Sequence, residues 1–250
     1  MFIKFCLTVL GVSFLTGFVG TVLWKKDSPQ WRAFLFFYTF LPAAICIAVS
    51  SALRNTWSLG DLSFMEFDLR YVALGLLIPL VFQSINLLVQ LKTSSYVFKA
   101  GTMAKKVIPI VLVNVVILIP FVRGEEIGWR GFIQSQAIER YGNITGILLL
   151  GLVWGLWHAP VAVRGHNLSA HFWAEAFVLY PYLCICYSFP LAFLTLQSGS
   201  IWPALLFHAT NNALGSISIQ FVDKKKPQLE ILLLMITGTV ILIPFAFFLM

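Results

Sequence analysis

Four charges fall within eight residues of an otherwise apolar chain: Arg123, Glu125, Glu126 and Arg130, directly after an uncharged run that ends at Val122. A charged group inside a membrane is costly, and its presence there points to a function and a partner. Glu125 and Glu126 are adjacent, so on a helix they point about 100° apart and cannot do the same job. Arg130 follows Glu126 by four residues, the spacing that stacks two side chains on one face. Glu126 is therefore the expected ion-pair partner of Arg130. Glu125 is left without a local cation, the situation of a general base.

Two histidines and an asparagine can join it. Tyr141-Gly142-Asn143 reads as a turn. Glu125 lies about 16 residues before that turn and His158 about 16 after it, so each arm of a helical hairpin rises about 24 Å and the two side chains meet at one depth. The glutamates then belong on an inserted helix, expected as one long or kinked element from about Val107 to Arg140, with Pro120 or Gly124 near the kink. His208 and Asn212, four apart in a later apolar run, share a helical face.

Glu125 with His158 can activate a water. His208 with Asn212 can supply the donors of an oxyanion hole. Together they describe a hydrolase without a covalent intermediate, in which Glu126 and Arg130 brace the site. Glu125, His158 and His208 are also three side chains that could hold a zinc with an open fourth position, although Asn212 is a poor zinc ligand and no HExxH pair is present; the metal question stays open at this stage. Taken singly, each feature has a plainer structural reading. A lone membrane histidine often bonds one helix to another, a Glu–Arg pair braces a fold, and Trp129, Trp154, Trp157 and Trp202 read as packing or interface anchors. Two non-hydrolytic alternatives follow: a non-catalytic membrane scaffold or immunity protein, and a proton-coupled transporter, since buried Glu and His also serve in proton relays.

The elements that must position these groups are membrane helices. The chain is 59% hydrophobic and 11% charged, against roughly 25% charged in soluble domains. Its apolar residues come in runs of the length a spanning helix needs: 5–24, 33–53, 71–91, 107–122, 141–163, an uncharged stretch 176–222 divided by the polar turn 197–200, and 231–250. The expectation is an all-α transmembrane bundle of about eight helices, a single transmembrane domain over residues 1–250. Continuous rather than alternating runs argue against a barrel. The run after Lys4 reads as an uncleaved first span, with no small-x-small cleavage site behind it. Cys6, Cys46, Cys184 and Cys186 lie in apolar segments and read as reduced core residues.

The net charge of +7 sits in connections. Eleven of the seventeen Lys and Arg fall in the first, third, fifth and seventh connections, which places those on the cytoplasmic side. The expected partners are membrane lipid and a membrane-anchored substrate, with no nucleic acid. Residues 56–70 read as a mixed loop or interfacial helix, 92–106 and 223–227 as basic linkers, and 165–170 as a polar turn that leaves His166 and His171 outside the site.

Three motifs carry a family resemblance: Glu125-Glu126-Ile127-Gly128-Trp129-Arg130 as EExxxR, Trp154 to His158 as an aromatic-xxx-His motif, and His208 to Asn212 as HxxxN. In this order they resemble the CPBP intramembrane proteases, the family of the Rce1-type CAAX prenyl endopeptidases and bacterial immunity-type homologues, over a core of about 107–215. Trp154 stands where that family more often has Phe. The resemblance implies that Glu125 and His158 activate water, that His208 and Asn212 stabilise the oxyanion, that Glu126 and Arg130 support them, and that substrates are lipidated or membrane-anchored proteins cut near their C-termini. A bacterial plasma membrane is the expected location.

Overall fold

The computed structural model describes residues 2–52, 67–101, 104–163 and 172–250. Most of the segment 56–70, the turn 165–170 with His166, and His171 lie outside the described residues, as do Arg54 and Arg164.

The chain is an all-α polytopic membrane bundle. Six helices are long and apolar enough to cross a membrane: Phe2–Leu23, Leu69–Lys92, Val107–Tyr141, Asn143–Ala162, Phe172–Ser198 and Gln228–Leu249. A seventh crossing forms if Pro29–Tyr38 and Leu41–Ala52, bent by 41° at their junction, count as one broken span. The remaining expected span is the 19-residue helix Trp202–Gln220. It contains His208, Asn211 and Asn212, and their polarity keeps it out of the strongly apolar set.

In chain order the helices are α1 (Phe2–Leu23), α2 (Pro29–Tyr38), α3 (Leu41–Ala52), α4 (Leu69–Lys92), α5 (Ala104–Gly128), α6 (Gln134–Tyr141), α7 (Asn143–Trp157), α8 (Ala159–Ala162), α9 (Phe172–Ala174), α10 (Tyr180–Ser198), α11 (Trp202–Gln220) and α12 (Pro227–Leu249). Single π-helical turns, Trp129–Ile133 and Glu175–Leu179, join α5 to α6 and α9 to α10. The hairpin turn falls at Gly142, whose φ of 77° a side chain would strain. Gly199, φ 65°, ends α10 in the same left-handed conformation and separates it from α11.

The helix through Ala104 to Tyr141 departs from expectation in one detail. Pro120 and Gly124 stay within α5. The irregularity comes later, at Trp129–Ile133, where a widened turn advances the helix by one residue. Such π-turns occur often at functional sites. Arg123 and Arg130 are helical rather than in a connection, so two of the six charges counted for the far side do not belong to its loops.

The second span also differs from the continuous helix expected over 33–53. It breaks at Thr39 and Phe40, and α5 packs into the break. A Cβ on Gly124 would lie 2.6 Å from the Thr39 carbonyl oxygen and 2.7 Å from the Phe40 Cα, and one on Gly128 would lie 2.6 Å from the Pro42 carbonyl carbon. Small residues allow this backbone approach where lipid gives helices no hydrophobic reason to associate. The same device joins α7 to α10, with Gly151 against Ile185 and Gly155 against the Pro181 backbone.

α10 is the central helix: 67% of its apolar span is buried inside the fold, against 22% for that of α12. Leu7, Phe18, Val116 and Phe247 on the outer helices face outward, as lipid-facing residues must. All four cysteines are buried and unpaired. The basic connections 92–106 and 223–227 hold a small surprise. Tyr96–Phe98 (β1) and Val222–Lys224 (β2) pair antiparallel, Tyr96 opposite Lys224, so the third and seventh connections meet on one side of the bundle. Glu230, 1% exposed, accepts from the Tyr96 hydroxyl at 2.6 Å and from Lys224 at 2.8 Å, tying this pair to α12.

Gly124→Ala forces a methyl group onto backbone atoms that cannot rotate away. It is expected to lower stability by about 1–3 kcal/mol, read as a fall in melting temperature in detergent, whereas Gly11→Ala, with open space at its Cβ inside α1, does not lower the melt, alanine being the better helix former.

Candidate active site

The break between α2 and α3 holds the α5 segment 124–128, and with it the two glutamates. Glu126 is fully buried and Glu125 is 5% exposed. As the angular spacing requires, they face different surroundings. Glu126 points into protein: its Oε1 accepts from Arg130 Nη1 at 3.1 Å and from His208 Nδ1 at 2.8 Å. The expected Glu126–Arg130 pair is present, but it is a triad, and His208 on α11 is its third member. Arg130 also donates from Nη2 to the Ser188 hydroxyl on α10, 3.2 Å away.

Glu125 faces a cavity of about 750 Å³ that His158, His208 and Asn212 also line. The four residues proposed from spacing therefore share one space, with Glu126 behind them. His158 caps the C-terminus of α7. Its Nδ1 lies 2.9 Å from the Trp154 carbonyl oxygen. A carbonyl only accepts, so Nδ1 carries the hydrogen, and in the neutral ring Nε2 presents a lone pair. The ring is held between Tyr180, stacked at 5.0 Å, and Trp157, edge-on at 4.8 Å. The Tyr38 hydroxyl on α2 donates to the Trp157 carbonyl at 2.9 Å and fixes the last turn of α7.

His208 is governed by the same reasoning. The Glu126 oxygen it meets already accepts from Arg130, so His208 Nδ1 is a donor. Its Nε2 then donates only when the ring is an imidazolium, and accepts when the ring is neutral. Asn212, one turn further along α11, is exposed to the cavity. Its Oδ1 accepts from Asn211 Nδ2 at 3.5 Å, and Asn211 Oδ1 accepts from Gln83 Nε2 at 2.7 Å. A file of amides from α4 thus reaches the Asn212 carbonyl oxygen along the cavity wall.

Trp154 corrects the packing role expected for it. Its indole N–H donates to Glu125 Oε2 at 2.9 Å. The Arg130 guanidinium lies 4.1 Å from its ring centroid, and the ring edge meets His208 at 5.3 Å. With its carbonyl on His158, this one residue touches Arg130, His208, His158 and Glu125. A Phe at this position would keep the ring contacts and lose the donor. Trp129, Trp157 and Trp202 remain packing residues: Trp129 is fully buried against Phe5 and Trp157.

Among the described residues no three His, Cys, Asp or Glu side chains come together as a metal-ligand group, Glu125, His158 and His208 included.

Residues 105–214 match the family model for type II CAAX prenyl endopeptidases of the Rce1-like group. The matched stretch runs from the start of α5 to α11 and includes all the cavity groups just described except Gln83 and Tyr38. No curated protein matches the chain. Three motifs in order and a bundle of membrane-length helices accord with that match: over residues 105–214 this integral membrane protein is similar to the Rce1-like endopeptidases.

Proposed function

We propose that this chain is an intramembrane endopeptidase that hydrolyses peptide bonds of membrane-anchored substrates, prenylated CAAX-type proteins among them, with a water activated by Glu125 and His158. The observation that carries this reading is the meeting of Glu125, His158, His208 and Asn212, from three separate helices, on one cavity wall.

The chemistry follows from the proton inventory. Glu125, Glu126 and Arg130 are all buried. Two carboxylates against one guanidinium leave one negative charge, and a single proton balances it, either on Glu125 or on His208. With the proton on His208, Glu125 is a carboxylate and His208 Nε2–H is a donor, so the base and the oxyanion donor are ready together. Water bound between Glu125 and the His158 Nε2 lone pair gives a proton to Glu125 as its oxygen adds to the scissile carbonyl carbon. The carbonyl π electrons move to its oxygen, and that oxyanion takes hydrogen bonds from His208 Nε2–H and Asn212 Nδ2–H. When the tetrahedral intermediate collapses, the C–N bond breaks and the departing amine takes the proton from Glu125. The scheme uses no metal.

Glu125→Gln keeps the size of the side chain and the acceptor for Trp154 but cannot take the proton. It is expected to reduce cleavage of a prenylated peptide by about 10²–10⁴-fold with an unchanged melting temperature; normal cleavage by this variant defeats the proposal. Trp154→Phe removes one hydrogen bond to a charged group. About a tenfold loss of kcat follows, with the melting temperature unchanged. An unaltered kcat would reduce Trp154 to packing. Exhaustive dialysis against a chelator should leave the rate unaltered, checked by metal analysis of the same sample.

A further inference from the structure

The cavity wall carries one cation outside the cluster around Glu126. Arg32, Leu35 and Thr39 follow the i, i+3, i+7 spacing of a single helical face, and all three line the cavity, as does Tyr38. One face of α2 therefore runs along the cavity. Its inner end is fixed at the site by the Tyr38 bond to the Trp157 carbonyl, beside His158. Its outer end is Arg32. Among the described residues no other Lys or Arg lines the cavity, and the exposed Arg32 has no ion pair and no side-chain hydrogen bond, its backbone N–H going to the Ser28 carbonyl.

Distance gives this arrangement a scale. Six residues of helix separate Tyr38 from Arg32, a rise of about 9 Å. An extended peptide advances about 3.3 Å per residue, so a chain laid along α2 from the site reaches the level of Arg32 after about three residues. Between them the α2 face offers Leu35, an apolar contact with no charge to meet. A guanidinium fits a carboxylate with two parallel hydrogen bonds, and a peptide always has one carboxylate at its end.

We propose that Arg32 binds the C-terminal carboxylate of the substrate and so holds a free chain end along α2. The inference rests on the endopeptidase reading and adds the group that selects a free C-terminus over an internal segment.

The test uses the full-length Glu125→Gln protein in detergent, so that binding is read without turnover. The probes are two short peptides that end in S-farnesyl cysteine and a three-residue tail, identical except for a free carboxylate or a carboxamide at the end. The carboxylate peptide is expected to bind about tenfold or more tightly than the amide, and Arg32→Gln added to Glu125→Gln should remove the difference. Equal affinity for the two peptides, or a preference that survives Arg32→Gln, overturns the proposal. If Arg32→Gln instead leaves the preference intact and weakens attachment to phosphatidylglycerol vesicles, the guanidinium serves lipid headgroups and the proposal likewise falls. Turnover of both peptides by the otherwise native enzyme is measured in parallel: absence of cleavage there counts against the endopeptidase reading, while the binding ratio alone decides the role of Arg32.

Discussion

One carboxylate oxygen holds the centre of this molecule together. Glu126 Oε1 accepts from Arg130 in the π-turn and from His208 on α11, and it does so with no exposure to solvent. An ionised carboxylate without partners in such a place would be several kcal/mol too costly. α5, the turn after it and α11 must therefore arrive together or the charge cannot be buried. The other cluster members hang on this joint. Arg130 reaches on to Ser188 of the central helix, and its flat guanidinium covers the Trp154 ring, a contact worth roughly 2 kcal/mol when desolvated. Trp154 in turn steers Glu125 with its side chain and His158 with its backbone.

Glycine makes the joint accessible. Glu126 can lie this deep because Gly124 and Gly128 bracket it and let α5 sink into the break of the second span. The π-turn serves the same end. A regular helix would place Arg130 and Glu126 on one face with nothing else required of either, whereas the widened turn lets Arg130 satisfy Glu126, Ser188 and Trp154 at once. Local irregularity and close helix packing here have a common cause: three buried ionisable side chains that all need partners.

Much of this was legible from residue types and counting. Sixteen residues on either side of Gly142 were enough to bring Glu125 and His158 to one depth, and the four-residue spacings paired Glu126 with Arg130 and aligned His208 with Asn212. What counting could not supply was direction. His208 joins the cavity, but its Nδ1 goes to Glu126, a contact between residues 82 apart in sequence. Trp154 looked like one more membrane tryptophan, because nothing in its neighbours tells which way an indole nitrogen will turn. Gln83 and Tyr38 lie outside the motif-bearing stretch, in helices whose sequence is otherwise only apolar. The break at Thr39 and Phe40 did have a signal in Pro42, which cannot bond the Tyr38 carbonyl where α2 ends, but it lay inside a continuous apolar run, and β1 and β2 are three residues each, too short for any alternating pattern to declare them.

Those two short strands have a wider consequence. They stand just before and just after the stretch that matches the family, at 96–98 and 222–224, and they are bonded to each other. The motif-bearing portion of the chain thus enters and leaves the bundle at a single seam. Fastening its two ends side by side shortens the loop that the helices between them must close and limits how far they can shift against one another.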